Sequence, residues 1–369
     1  MALLFALDFP LGPDLEHAVR RCIHVNQAFC VLDQRLSPEG RRRELLALGA
    51  THLADHTGVT SLDGGTIVDS GIGLVMLTSG SSGAPKATEL SWDALRASAE
   101  ITQETLRGAS PPVWYPCLPA NHIGGLAVIL RAILSDARLL WGDPHEIAAA
   151  PRRGATHVAV VRSQMFDHDL SGFETVLLGG ARPPGGLADN VITTWGMTET
   201  GSGVVYNGRA LRGVELCAID GEICVKSPTL FERYRHAPRP RVVGPDGDDA
   251  WFPTGDAGEF ADGVLRVRGR RGFIINTGGE KVWPDDLEGV LGAVAGVRDV
   301  AVTSEPDERW GERIIALVVS EQPDLDDAMR DAAAQRIGPW AKPKEFRYVA
   351  AIPRTANGKI RRDVLTSTR

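Results

Sequence analysis

The sequence has no apolar run long enough to cross a bilayer and no excess of positive charge. Its formal net charge is -7, with 43% hydrophobic and 24% charged residues, the balance of an ordinary globular protein. Acidity of this degree argues against nucleic acid or an anionic membrane as the main partner. The first ten residues carry Asp8 and no basic leader, so they make a poor signal peptide. Cysteine is scarce: the five, at 22, 30, 117, 217 and 224, form no C-x-x-C and no zinc spacing. Such an odd, unpatterned set suits a reducing cytoplasm, where free cysteines pack as small apolar residues. His52 and His56 stand four apart, but no H-E-x-x-H surrounds them, and they read as surface residues. A nucleophile elbow is also missing, because in Gly80-Ser81-Ser82-Gly83 the second glycine comes too early for G-x-S-x-G.

What is present is, above all, the run Leu77-Thr78-Ser79-Gly80-Ser81-Ser82-Gly83-Ala84-Pro85-Lys86, which follows a strand-like apolar stretch. Glycines let backbone N–H groups approach a polyanion, hydroxyls add donors, and Lys86 supplies positive charge. That is the chemistry of a phosphate cradle. It is not a Walker loop, since Pro85 precedes the lysine and Ala87 follows it. Taken alone, the run reads equally well as a flexible Gly-Ser turn.

At 369 residues the chain has room for two domains. Ser37 caps a helix that ends near Ala50, with Pro38 in its first turn, and Ser91 caps another running to Arg107. Strand-like runs at 157–161, 175–178 and 191–195 alternate with helical or loop stretches, the pattern of an α/β fold. From Gly213 the texture changes to short strands at 214–219, 222–226 and 264–268 between Gly, Asp and Pro turns, a small sheet or β-barrel-like subdomain. Beyond Arg271-Gly272 an α+β pattern follows, with helices near 285–293 and 325–337 and strands near 300–303 and 314–319. The expected domains are therefore 1–271 and 272–369.

Four further motifs follow the Gly-rich run in order. They are Trp195-Gly196-Met197-Thr198-Glu199, then Thr254-Gly255-Asp256, then Gly269-Arg270 with Thr277-Gly278-Gly279, and finally Pro353-Arg354-Thr355-Ala356-Asn357-Gly358-Lys359. Together they resemble the adenylate-forming superfamily of acyl- and aryl-CoA ligases, luciferases and peptide-synthetase adenylation domains. The resemblance implies a large N-terminal α/β domain, shortened here, and a small mobile C-terminal domain. It also implies ATP, Mg²⁺ and coenzyme A as partners, with a small carboxylic acid as substrate.

Residue by residue, the resemblance gives the β- and γ-phosphates to Thr78, Ser79, Gly80, Ser81, Ser82, Gly83 and Lys86. Thr198 would bond the α-phosphate, and Glu199, with Thr78, would hold the metal. Trp195, beside Gly196, stands where the family has an adenine-stacking tyrosine; by itself it is an unremarkable core aromatic. Asp256 would take the ribose hydroxyls, with Arg270 nearby, although Thr-Gly-Asp by itself is only a turn. Lys359 would bridge the substrate carboxylate and the α-phosphate in the first half-reaction. Gly278-Gly279 would face the thiol's tunnel in the second, after rotation of the C-terminal domain. Departures from the family are Gly272 at the hinge with Phe273 after it, Ala87 for Gly, and Asp286 for Glu.

A narrower resemblance, to o-succinylbenzoate–CoA ligases of menaquinone synthesis, rests on 119–126, 157–164, 177–181 and 277–284. About seventy residues precede the phosphate loop, fewer than such ligases carry, which reads as loss of an upstream portion. The resemblance makes His122 the gate beside the acyl pocket and Arg131 or Arg162 the partner of a second carboxylate. Ligation of another aryl or fatty acid, an NTPase, or a nucleotide-binding non-enzyme stay as alternatives. The oligomeric state is open, a homodimer included.

Overall fold

The computed structural model describes residues 1–78, 86–106, 108, 111–322, 324–355 and 358–367. The chain forms two compact units: residues 1–180, 188–217 and 225–252 in the first, and 181–187, 218–224 and 253–369 in the second.

In the first unit, Phe5–Leu7 lies between Phe29–Val31 and His52–Asp55, parallel to both. These strands belong to an eight-stranded sheet that continues through Ile72–Thr78 and Lys86–Ser91 to Arg233–Tyr234 and Ala237–Pro238, with Gly58–Ser61 on the opposite edge. Helix Pro38–Leu48 packs beside it, its N-terminus capped where the Ser37 side chain accepts the Gly40 N–H and its end marked by left-handed Gly49. Ser91 likewise accepts from Ala94 to start helix Trp92–Thr105. A seven-stranded sheet holds Val113–Tyr115, His157–Val161, Thr175–Gly179 and Val191–Met197 in parallel register. Helix Ile123–Leu134 packs on this sheet and against helix Trp92–Thr105, so it is apolar almost all round.

The strands expected after Gly213 form as Glu215–Ile219, Glu222–Lys226 and Val264–Arg270. The sequence pattern gives no strand over 252–261, and reads Thr254-Gly255-Asp256 as a turn. The structure instead runs a ten-residue strand, Phe252–Ala261, through it. Two glycines lower its strand propensity, but the tight turn at Asp262 (φ 55) and Gly263 (φ 72) folds it onto Val264–Arg270, and pairing overrides propensity.

The second unit is built on a sheet of Glu280–Val282, Ile275–Thr277, Gly311–Val319 and Asp299–Asp307, with Glu345–Tyr348 added parallel to Gly311–Val319. Ile314, Ala316 and Val318 face a core shared with Leu287, Leu291, Met329 and Ala333 from helices Pro284–Leu291 and Asp326–Arg336. On the other face Ile315 and Leu317 pack with Ile352 and Leu365. With both faces covered, strand Gly311–Val319 reads from Ile314 onward as a continuous apolar run with no alternation.

Candidate active site

Thr78 stands opposite Lys86 in the antiparallel pair Ile72–Thr78 and Lys86–Ser91, and its hydroxyl donates to the Lys86 carbonyl at 3.3 Å. The loop they flank contains Ser79, Gly80, Ser81, Ser82 and Gly83, which lie outside the described residues. Its two stems are thus held in register while Lys86 itself is exposed.

Strand Val191–Met197 carries Trp195, half-buried, and Gly196 into a bulge against Ser202–Tyr206. Only glycine fits at 196, since a Cβ would come within 2.1 Å of the Ser202 carbonyl. The single turn Thr198–Thr200 follows, buttressed by the Thr200 hydroxyl, which accepts the Met197 N–H at 2.9 Å. This turn brings Glu199, only 9% exposed, to Tyr234, whose hydroxyl donates to Glu199 Oε1 at 3.0 Å. The same phenol ring lies 5.1 Å from Lys86 Nζ. Cation and carboxylate are therefore arranged around one tyrosine that sequence reasoning missed; in the sequence, Arg233-Tyr234-Arg235 carries no motif of its own. Glu89, buried at 2%, binds Arg233 at 2.9 Å and Arg235 at 3.1 Å, and so fixes the strand on either side of Tyr234.

His122 stands just before helix Ile123–Leu134, within 3.4 Å of Asn121. Nine residues on, Arg131 is 4% exposed and rests on the Trp114 ring at 4.9 Å. Its Nε and Nη1 have no hydrogen-bond partner, and among the described residues no carboxylate pairs with it. His157 Nε2 and Trp114 Nε1 are likewise buried without a partner. Burial, helped by Arg131, pushes the His157 imidazole down to about 4, so it is neutral near pH 7. Arg131 lines a cavity of about 10 Å³ with Ser98, Ala99 and Gly201, the residue that ends the Glu199 turn. Arg162, by contrast, lies over the exposed Phe166 ring at 5.7 Å.

In the second unit Asp256 is buried and paired with Arg270 at 2.8 Å, directly across the Phe252–Ala261 and Val264–Arg270 ladder. Arg270 also donates to the Thr254 carbonyl at 2.7 Å, while the Thr254 hydroxyl accepts the Asp256 N–H at 3.1 Å. Gly278 (φ 61) and Gly279 (φ 85) form an exposed left-handed turn that only glycine adopts freely. The Gly278 N–H donates to the Trp310 carbonyl at 2.8 Å, and the indole is flanked by Lys344 at 4.3 Å and Arg309 at 5.0 Å. Burial lowers the Lys344 ammonium, and its neighbours Arg309, Lys342 and Arg330 lower it further. A concentration of positive charge beside the Gly-Gly turn was not evident from residues spread over 309–344. Lys359 is exposed on a hairpin closed by the Thr355 N–H donating to the Lys359 carbonyl at 2.7 Å. Among the described residues no group of three or more His, Cys, Asp or Glu side chains is placed to form a metal cage.

In the first unit, cation, carboxylate and hydroxyl meet around Tyr234, and in the second Asp256 pairs with Arg270, each a set of polar groups of the kind nucleotide-using enzymes carry. Two family models match the chain: AMP-binding enzyme over residues 66–235 and AMP-binding enzyme C-terminal domain over 286–359. The chain belongs to this family of adenylate-forming enzymes. Among individual relatives, a protein of Mycobacterium tuberculosis named a probable 2-succinylbenzoate–CoA ligase is 33% identical over 332 residues, covering 82% of this chain and 85% of that one. The 2-succinylbenzoate–CoA ligase of Enterococcus faecalis is 30% identical over 78% of this chain and 67% of its own length. The fold matches o-succinylbenzoate CoA synthetase from Bacillus subtilis, solved with the acyl-adenylate OSB-AMP, at TM-score 0.83 and 22% identity, over 100% of this chain and 88% of that one. ATP-bound MatB from Rhodopseudomonas palustris matches at TM-score 0.84 and 18% identity, over the same shares of the two chains.

Proposed function

We propose that the chain is an ATP-dependent, AMP-forming 2-succinylbenzoate–CoA ligase acting in the cytoplasm. The observation that carries the substrate is Arg131. A buried guanidinium with two idle donors and, among the described residues, no acidic partner is costly. It is explained if a carboxylate of the substrate completes it, and a diacid with one carboxylate activated leaves the other for this purpose. Trp114, against which Arg131 rests, and His157 beside it each add an idle buried nitrogen. A monocarboxylic aryl or fatty acid would leave all of them unsatisfied.

In the first half-reaction the substrate carboxylate attacks the α-phosphate of ATP and pyrophosphate leaves. Lys86 and the Gly-rich loop hold the departing phosphates, and Thr198 and Lys359 meet charge that builds on the α-phosphoryl oxygens. Glu199 fits a magnesium site because Tyr234 fixes one of its oxygens, and Thr78 sits on the adjoining stem. The metal, when bound, supplies neutralisation of phosphate charge. Trp195 and Gly196 bound the adenine, and Asp256, oriented by Arg270, accepts from the ribose. In the second half-reaction the thiol of coenzyme A displaces AMP past Gly278-Gly279, and Arg309, Lys342 and Lys344 receive its phosphates. We assign 1–271 and 272–369 as the bodies that rotate between steps, with Gly272, exposed and free of neighbours at its Cβ position, as the hinge. His122 gates the acid's entry.

Acid-dependent exchange of labelled pyrophosphate into ATP, followed by thioester formation across a panel of acids, tests this reading. 2-Succinylbenzoate should support both; exchange with a different acid alone would overturn the substrate assignment. Release of orthophosphate without acid would point to an NTPase.

A further inference from the structure

The described residues between 352 and 365 are fastened to the second unit far more heavily than a lysine on a trailing tail requires. Ile352 and Leu365 are buried at its two ends against Ala301, Ile315 and Leu317. Between them, Arg354 grips Asp299 with Nη2 at 2.8 and 2.9 Å from the two carboxylate oxygens. The same guanidinium donates through Nη1 to the Gly358 carbonyl, 2.7 Å away and one residue before Lys359. Three residues after the lysine, Arg362 donates to Glu288 at 2.8 Å, to the Val302 carbonyl at 2.8 Å, and to Asp285. Glu288 Oε1 in turn accepts the Val302 N–H at 2.8 Å. Asp299 and Val302 belong to one strand, Asp299–Asp307, so each side of the lysine hairpin has a bond to the same strand, and Arg362 adds helix Pro284–Leu291 through Glu288 and Asp285. Within the hairpin the Gly358 N–H donates to the Thr355 carbonyl at 2.9 Å and the Lys359 N–H to the Thr355 hydroxyl at 3.2 Å.

We infer that Arg354 and Arg362 are positioning residues for adenylation: their guanidiniums bolt the hairpin to strand Asp299–Asp307, so Lys359 is presented from a fixed pedestal. This rests on the assignment of Lys359 to the first half-reaction. Fixing the backbone beforehand removes the entropy of ordering it in the transition state, and a misplacement of about 1 Å can cost on the order of 100-fold in rate. A purely structural anchor would not need to grip the carbonyl next to the lysine.

The test uses the full chain with Arg354→Met, Asp299→Asn and Arg362→Met. Arg354 is the primary variant, because its site is partly exposed and its loss leaves the Glu288 network whole. Arg354→Met should lower the rate of acid-dependent pyrophosphate exchange roughly 10–100-fold with KM for ATP nearly unchanged. Thioester formation from supplied acyl-adenylate should stay within about twofold, and Arg354→Lys should recover part of the loss. Independently of activity, amide hydrogen exchange at Gly358–Ile360 should accelerate by about tenfold or more, while the amides of Gly311–Val319 keep their protection. Unchanged amide exchange, or equal loss in both half-reactions, overturns the inference. A wild-type chain without acid-dependent pyrophosphate exchange would instead count against the proposed function, and the amide measurement would still decide whether the hairpin is clamped.

Discussion

Replacing Arg131 by Met should make the protein more stable and less able to use its acid. The guanidinium is buried, with Nε and Nη1 unsatisfied. Each such donor costs about 1–3 kcal/mol. Its contact with the Trp114 ring returns roughly 2 kcal/mol. A methionine fills much of the space without the charge, so the net gain is about 0–4 kcal/mol, centred near 2 kcal/mol. For a unit of this size that corresponds to a melting temperature higher by roughly 3–8 °C. The same change removes the partner proposed for the acid's second carboxylate, an expected loss of about 2–4 kcal/mol, or roughly 30–1,000-fold in kcat/KM. Thermal unfolding without ligand and steady-state thioester formation measure the two arms. A variant that melts earlier while keeping its kcat/KM for 2-succinylbenzoate would show Arg131 to be a structural residue and refute the reasoning.

Other outcomes are open to simple assays. Tyr234→Phe keeps the ring beside Lys86 but frees Glu199; the Mg²⁺ concentration for half-maximal pyrophosphate exchange should rise about tenfold, against no change if the hydroxyl is idle. Trp310→Ala should raise KM for coenzyme A about tenfold and leave that for ATP alone, since the indole spaces Lys344 and Arg309. His157 has its pKa depressed to about 4 in the fold from 6.5, so the unfolded chain takes up its proton first as pH falls. Stability should accordingly drop between about pH 6.5 and 4, by up to about 3 kcal/mol from this group. Arg131→Met, which removes one of the causes of the depression, should shrink that drop when unfolding is followed across the same pH range.

Much of the architecture is legible from local chemistry. Ser37 and Ser91 announce their helices because a hydroxyl before an apolar-periodic run has one useful role, to accept an amide at the helix start. The strands at 157–161 and 222–226 are read directly, since buried β-branched runs between turns have few alternatives. Phe252–Ala261 escapes because its glycines describe a turn locally, and only pairing across Asp262-Gly263 makes it a strand. The motif residues proposed for the site stand out as short motifs in a fixed order, and the family resemblance suggests their roles, but Tyr234, Trp310 and Arg354 cannot be picked out that way. Each acts through a partner distant in sequence: Glu199, Gly278 or Asp299. Arg131 is intermediate. Its position is visible, whereas the lack of a counter-charge emerges only from packing.

The ladder that places Thr88 across from Tyr234 has a mechanical consequence. Lys86 follows the Gly-rich loop on the same strand that carries Thr88, and Glu89 clamps the neighbouring strand through two arginines. A shift of that stem when triphosphate arrives would be transmitted through the phenol to the carboxylate of Glu199. On the roles proposed for Lys86 and Glu199, grip on the leaving group and readiness of the metal ligand would thereby be geared to one another.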